Sequence, residues 1–201
     1  PTPPSQWRAG QPVRYTRTLF PPDVLPLGPV SLEIGLYSAD TQARLPLAGR
    51  EVDGRAYAAA TFTVDAAQDY AWTDGWYDRE GSERDPVRWR WTRQQATLSV
   101  PNPRTAAELY VDADAFDLRP APAQVTVSVR GQAVATITVA PGVREVHRVP
   151  LTAAQLGDGE SCDIVLSTDR TYSPAELANG RSDDPRQLGI RVFNAAVLSV
   201  P

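Results

Sequence analysis

The chain has 201 residues, the length of one large or two small domains at roughly 100–200 residues each, and enough to bury a core without disulfide or metal. Its single cysteine, Cys162, excludes an intrachain bridge and fits either side of a cell membrane. Net charge is −4, all 20 basic residues are arginine and no basic run stands out, which argues against a nucleic-acid partner and its need for a phosphate-neutralising patch.

No apolar run approaches the ~18 residues that suggest a membrane span. The start Pro1-Thr2-Pro3-Pro4, without initiator Met or signal peptide, reads as the beginning of a fragment excised from a longer protein. A strand is expected over 13–20. The clearest follows at 30–37, where Val30, Leu32, Ile34 and Leu36 alternate with Ser31, Glu33 and Gly35. Such alternation predicts one buried and one wet face. Residues 57–64 repeat it, and Asp65-Ala66-Ala67-Gln68-Asp69 then breaks it, which places a boundary near 66–70. Further strands are expected at 87–92, 96–100, 107–111, 125–129, 133–139, 143–149, 162–166, 188–193 and 196–200. Prolines clustered at 1–4, 21–29 and 101–122 mark turns and strand ends.

Helix signals are short. Thr152-Ala153-Ala154-Gln155 has a capping-box pattern stopped by Gly157. Ser173-Pro174-Ala175-Glu176 has a cap, a proline at the first helical position and a glutamate three residues past the cap, with Gly180 as its stop. The fold class is therefore all-β. Residues 1–66 form a small immunoglobulin-like sheet module, and 67–201, with eight or nine strands, form a jelly-roll β-sandwich of carbohydrate-binding-module type.

Residues with chemistry are few. His147 is the only histidine and lies within a strand, as a surface or satisfied side chain. No nucleophile elbow, phosphate loop or zinc-ligand spacing occurs. Asp78, Glu80, Glu83 and Asp85 have the spacing of a solvated loop, so no glycosidase pair is assigned. Asp112, Asp114 and Asp117 offer three carboxylates in what reads as a loop after a strand. They are the calcium candidate, against an acidic turn before Pro120. No cofactor is required. Asp183, Asp184 and Arg186 read as a polar turn pinned by an Arg–Asp contact.

The aromatic residues carry more. Trp89 and Trp91 share a face with Val87 while Arg88 and Arg90 face away, which predicts core packing. Trp72, Trp76 and Tyr77 lie in a Gly- and Asp-bearing loop. Such rings either plug the domain or stack on sugars, with Asp78 and Arg79 orienting the hydroxyls.

Two groups of phrases resemble a known family. Trp7-Arg8-Ala9-Gly10-Gln11-Pro12-Val13, residues 31–37 and Arg44-Leu45-Pro46-Leu47 resemble a β module of bacterial protein-mannosyltransferase-like membrane glycosyltransferases. Gly75-Trp76-Tyr77, Trp89-Arg90-Trp91-Thr92 and Pro174-Ala175-Glu176 with Ser182–Gly189 resemble the jelly-roll regions appended to them. The resemblance implies a non-catalytic, extracytoplasmic accessory domain, covalently linked to a membrane region that holds the catalytic carboxylates. Its implied partner is a glycan or lipid-linked sugar. The alternatives are a structural spacer or protein-interaction β domain and, third, a hydrolase with paired acids in a deep cleft.

Overall fold

The computed structural model describes residues 4–14, 16, 18–20, 27–38, 40–64, 70–81, 87–117, 121–177 and 182–200. The chain divides into two compact units, Leu19–Gln68 and Pro1–Thr18 with Asp69–Pro201. The division thus runs at Gln68/Asp69 where 66/67 is expected, and Pro1–Thr18 groups with the larger unit. The two expected helix stops or boundary motifs at Gly180 and at 65–69 lie outside the described residues.

The smaller unit holds β1 (Gly28–Ile34), β2 (Leu36–Tyr37), β3 (Arg44–Leu45), β4 (Glu51–Asp53) and β5 (Ala56–Val64). They form a three-stranded sheet, β1-β5-β4, and a β2-β3 pair. The single strand expected over 30–37 breaks at Gly35. Its alternation survives in part: Val30, Leu32 and Leu36 are half-buried and Ser31 and Glu33 exposed, but Ile34 is 54% exposed. The reason is the thinness of the unit. Among its described residues only Tyr57 is fully buried, so the apolar face of the three-stranded sheet has little to close over it.

The larger unit adds β6 (Ala71–Trp72), β7 (Arg90–Trp91), β8 (Gln95–Pro101), β9 (Ala107–Ala115), β10 (Ala123–Val129), β11 (Gln132–Val139), β12 (Glu145–Leu151), β13 (Ser161–Thr168) and β14 (Ile190–Ser199). A five-stranded sheet runs β11-β10-β13-β8-β6 and a four-stranded sheet runs β12-β9-β14-β7. Every strand pairing within them is antiparallel. This is a two-sheet β-sandwich. Alternate residues of the long strands, such as Leu98, Leu109, Val111, Val125, Val127 and Ile164, meet in one apolar core, each such side chain contributing roughly 1.5–3 kcal/mol by leaving water.

Three departures from expectation have local causes. The strands expected at 188–193 and 196–200 are one strand, β14, whose alternation is interrupted by a bulge between Val192 and Asn194. The bulge adds Phe193 and re-aims its ring. The strand expected at 107–111 runs on to Ala115, because Asp112 and Asp114 belong to the strand and not to a loop. No strand forms in the described residues of 13–20. That segment is tied by a side chain instead, Arg148 Nη2 donating to Thr18 Oγ1 at 3.2 Å. Both short helices form where expected, α1 (Ala153–Leu156) and α2 (Pro174–Leu177). In α1 the Thr152 and Gln155 side chains each accept from the other's backbone N–H, closing the capping box. Among the described residues no helix is long and apolar enough to cross a membrane.

Candidate functional site

The aromatic loop leaves the five-stranded sheet at β6, where Trp72 pairs with Leu98 and so faces the sandwich interior. The chain then turns back along the segment that runs from β7 in one sheet to β8 in the other. Thr73 N–H donates to the Thr97 carbonyl, Thr97 N–H to Asp74, Arg93 N–H to Gly75 and Tyr77 N–H to Trp91. Gly75 is required here. It sits at φ +79, and a Cβ would lie 1.8 Å from the Gln95 carbonyl oxygen. This close lacing turns Trp72 and Trp76 inward, where both pack against the core. Their rings meet edge to face with centroids 4.5 Å apart. The Trp76 indole N–H donates to the Thr97 carbonyl at 2.7 Å. Two of the three candidate rings therefore plug the end of the sandwich.

Tyr77 is placed differently. Its half-buried ring has the Arg93 and Arg186 guanidinium carbons 5.1 and 5.0 Å from its centroid, and its hydroxyl donates to the Gln187 carbonyl. Arg186 is held by Asp184, with Nη2 to Oδ2 at 2.7 Å, and by Glu80, with Nη1 to Oε1 at 2.6 Å. The Arg186 hydrogen bonds hold the Asp184 carboxyl below its ordinary value and raise the guanidinium in turn. The contact expected to pin the 183–186 turn is present, and it also reaches across to the loop through Glu80. Asp78 and Arg79 follow Tyr77 and are exposed, as are Asp183 and Asp74. Partial burial, then the neighbouring Arg88 and Arg90, lowers the Arg79 guanidinium value. Glu83 and Asp85 lie outside the described residues.

Trp89 and Trp91 sit elsewhere than the sandwich core. In the ladder, Trp91 stands opposite Arg191, and Arg191 opposite Asp114. Directly opposed residues share a face, and this face is the outer one of the four-stranded sheet. A second layer is built there. Arg191 donates from Nε to Asp114 Oδ1 at 2.7 Å, and its guanidinium carbon lies 5.1–5.5 Å from the centroids of Trp89, Trp91 and Phe193. Arg144 grips Asp112 with two of its nitrogens and stacks 4.1 Å from the Phe193 centroid. Trp91 is buried as expected, but under this polar and aromatic layer.

The calcium candidates fare accordingly. Asp112 and Asp114 lie two apart on β9, share its outer face, and are 3% and 2% exposed. Each is spent on an arginine. Asp117 is exposed beyond the strand end, and the structure does not bring the three carboxylates together. Among the described residues no group of three His, Cys, Asp or Glu side chains is arranged to hold a metal ion. The sequence reading missed Arg144, Arg191 and Phe193. The signal was present in the i, i+2 spacing of the two aspartates, which places both on one strand face.

His147 stands opposite Val111 and shares a face with Val149 two residues on, so it faces inward, with Nε2 buried and without a hydrogen-bond partner. Burial lowers its pKa from the ordinary imidazole value. Cys162 is buried in the core, which raises its thiol pKa. Neither side chain faces the loop of Tyr77.

No family model matches the chain, and no curated protein matches its sequence. Among solved structures, the chain is similar to the CBM22-1 xylan-binding domain from Paenibacillus barcinonensis Xyn10C. Identity is 12% and the TM-score 0.40, over 66% of this chain and 87% of that one. A family 35 carbohydrate binding module from an environmental isolate gives 8% and 0.39, over 66% and 98%. The GH115 4-O-methyl-alpha-glucuronidase BtGH115A gives 12% and 0.43, over 72% of this chain but 19% of that one. At TM-scores below 0.5 these likenesses assign neither a family nor a function.

Proposed function

We propose that this chain is a non-catalytic glycan-binding β module, and that Tyr77 and its surrounding charges form the binding surface. One observation carries the reading. A half-buried tyrosine is stacked by Arg93 and Arg186, its carbonyl accepts from Arg90, and Arg186 is in turn paired with Glu80 and Asp184, while the exposed Asp78 and Arg79 follow it in the chain. An Arg–carboxylate pair supplies one donor and one acceptor side by side, which matches a vicinal diol. With one half-buried ring to stack on, affinity for a short oligosaccharide is about 0.1–1 mM, or ~4–5.5 kcal/mol.

In the same reading, the module is an accessory region of a protein-mannosyltransferase-like membrane glycosyltransferase and works outside the cytoplasmic membrane on a glycan or lipid-linked sugar. The phrases around Trp7, Trp76 and Pro185 support that part. Calorimetric titration with envelope-type oligosaccharides tests the binding claim. Tyr77→Ala and Asp78→Ala should each weaken binding by about tenfold, which is ~1.4 kcal/mol, without lowering the melting temperature by more than a few degrees. Binding that survives both variants would remove the site from this surface.

A second reading, a spacer or protein-interaction domain, draws on the smaller unit. There Ile34, Val52 and Phe62 are each about half exposed, large apolar side chains that a partner surface would cover. Phe62→Glu should leave sugar titrations unchanged. A loss of association with a co-purifying partner would favour this reading.

A further inference from the structure

The β2–β3 hairpin of the smaller unit borders an open groove of about 470 Å³, lined by Glu33, Ile34, Tyr37, Gln42 and Arg44 among others. Ligand sites commonly span ~300–1,000 Å³, so the space suits one or two sugar rings. Its chemistry is mixed. Tyr37 is 64% exposed, an aromatic ring left in water on a two-residue strand. Glu33 and Arg44 form no ion pair among the described residues. A carboxylate and a guanidinium thus line the same groove with donors and acceptors uncommitted to each other.

Two backbone features border the groove. Gly35 lies where a Cβ would stand 3.2 Å from the Arg55 carbonyl oxygen and 3.6 Å from Arg44 Nη1. Only the Arg55 carbonyl is closer than ordinary contact; Arg44 Nη1 is at normal van der Waals distance. At the hairpin tip, Gln42 is held in the left-handed region at φ 58, its N–H donating to the Ser38 carbonyl, while Ser38 N–H donates to Ala43. A non-glycine residue in that region costs energy and is kept only where its surroundings impose it. Gln42 also lines the groove.

We propose that this groove is a second saccharide subsite, in which one sugar ring stacks on Tyr37 while Arg44 and Glu33 bond its hydroxyls. It shares a ligand class with the surface around Tyr77 but none of its residues, so each stands or falls separately. The balance of Glu33 against Arg44 selects a neutral sugar over an anionic one.

The test is a two-dimensional amide titration of the whole chain with cellobiose and with α-1,6-mannobiose, each to about 10 mM, several-fold above the ~1 mM dissociation constant of a shallow site. At least one disaccharide should move the amides of β2, β3 and the intervening turn. Tyr37→Ala and Arg44→Gln should each weaken that response by about tenfold, and Tyr77→Ala should leave it intact. Tyr37 is exposed, so its variant should keep the parent spectrum elsewhere. The proposal is overturned if neither disaccharide moves these amides, if the response persists in Tyr37→Ala, or if only glucose 6-phosphate or a peptide produces it. Silence around Tyr77 with a response at the hairpin would sink the earlier reading and keep this one.

Discussion

Arg191 shows how single residues hold the outer layer of the four-stranded sheet. Its guanidinium neutralises Asp114, which is nearly fully buried, and is walled by Trp89, Trp91 and Phe193. Removing one partner of a buried pair leaves the other charge unpaired, at a cost of about 3–5 kcal/mol. Arg191→Ala should lower the urea midpoint accordingly, and Arg191→Lys should lose much of the same stability, because an ammonium lacks the bidentate fork. An alanine variant within ~0.5 kcal/mol of the parent, the range of an ordinary surface change, would contradict this account. His147 makes a pH prediction. Burial holds its folded pKa below the unfolded value, so as pH falls below about 6.5 the unfolded chain takes up the proton first. The contribution is fully present above that pH and is lost as pH falls towards the depressed folded value. Denaturant midpoints compared between about pH 7.5 and 5.5 should fall for the parent and fall less for His147→Gln; equal slopes would remove the histidine from the explanation.

Among the elements, the loop from β6 to β7 depends most on one position. Gly75 combines a positive φ with backbone contact against Gln95, so Gly75→Ala must distort the loop that carries Trp76 and Tyr77. Loss of well over ~1 kcal/mol is expected, together with a changed near-ultraviolet spectrum as the Trp72–Trp76 pair loosens. An unchanged spectrum and melting temperature would mean that the loop closes some other way. Much at this scale was legible in the sequence. Alternation placed β5, β8, β10, β11, β12 and β13 within a few residues, and the capping signals placed both helices. The end of β9 was not legible, since Asp112 and Asp114 resemble a loop until Arg144 and Arg191 are seen to neutralise them. Alternation likewise put Trp89 and Trp91 on one face, but period two does not say which face of a sheet meets the core. Of the candidate site, the loop was visible in its aromatic cluster. Its charged frame was not, because Arg186 and Glu80 are distant in sequence and meet through the fold alone.

For the molecule as a whole, the two units bury very different amounts. The larger contains nearly all fully buried side chains, whereas the smaller keeps Tyr57 alone among its described residues. Opening free energy follows buried apolar contact. Hydrogen exchange should therefore release the amides of β1 and β5 well before those of β9, β10 and β13, and equal protection in both units would contradict the division. The central claim is tested most directly by titrating envelope-type oligosaccharides into the labelled parent chain and Tyr77→Ala while following every amide and indole signal. The account predicts that millimolar sugar moves the amides of Tyr77, Asp78, Arg79 and Arg186, leaves the plugged indoles of Trp72 and Trp76 nearly still, and loses the Tyr77-centred response in the variant. Sugar that moves none of those amides, or moves them equally in Tyr77→Ala, would contradict it.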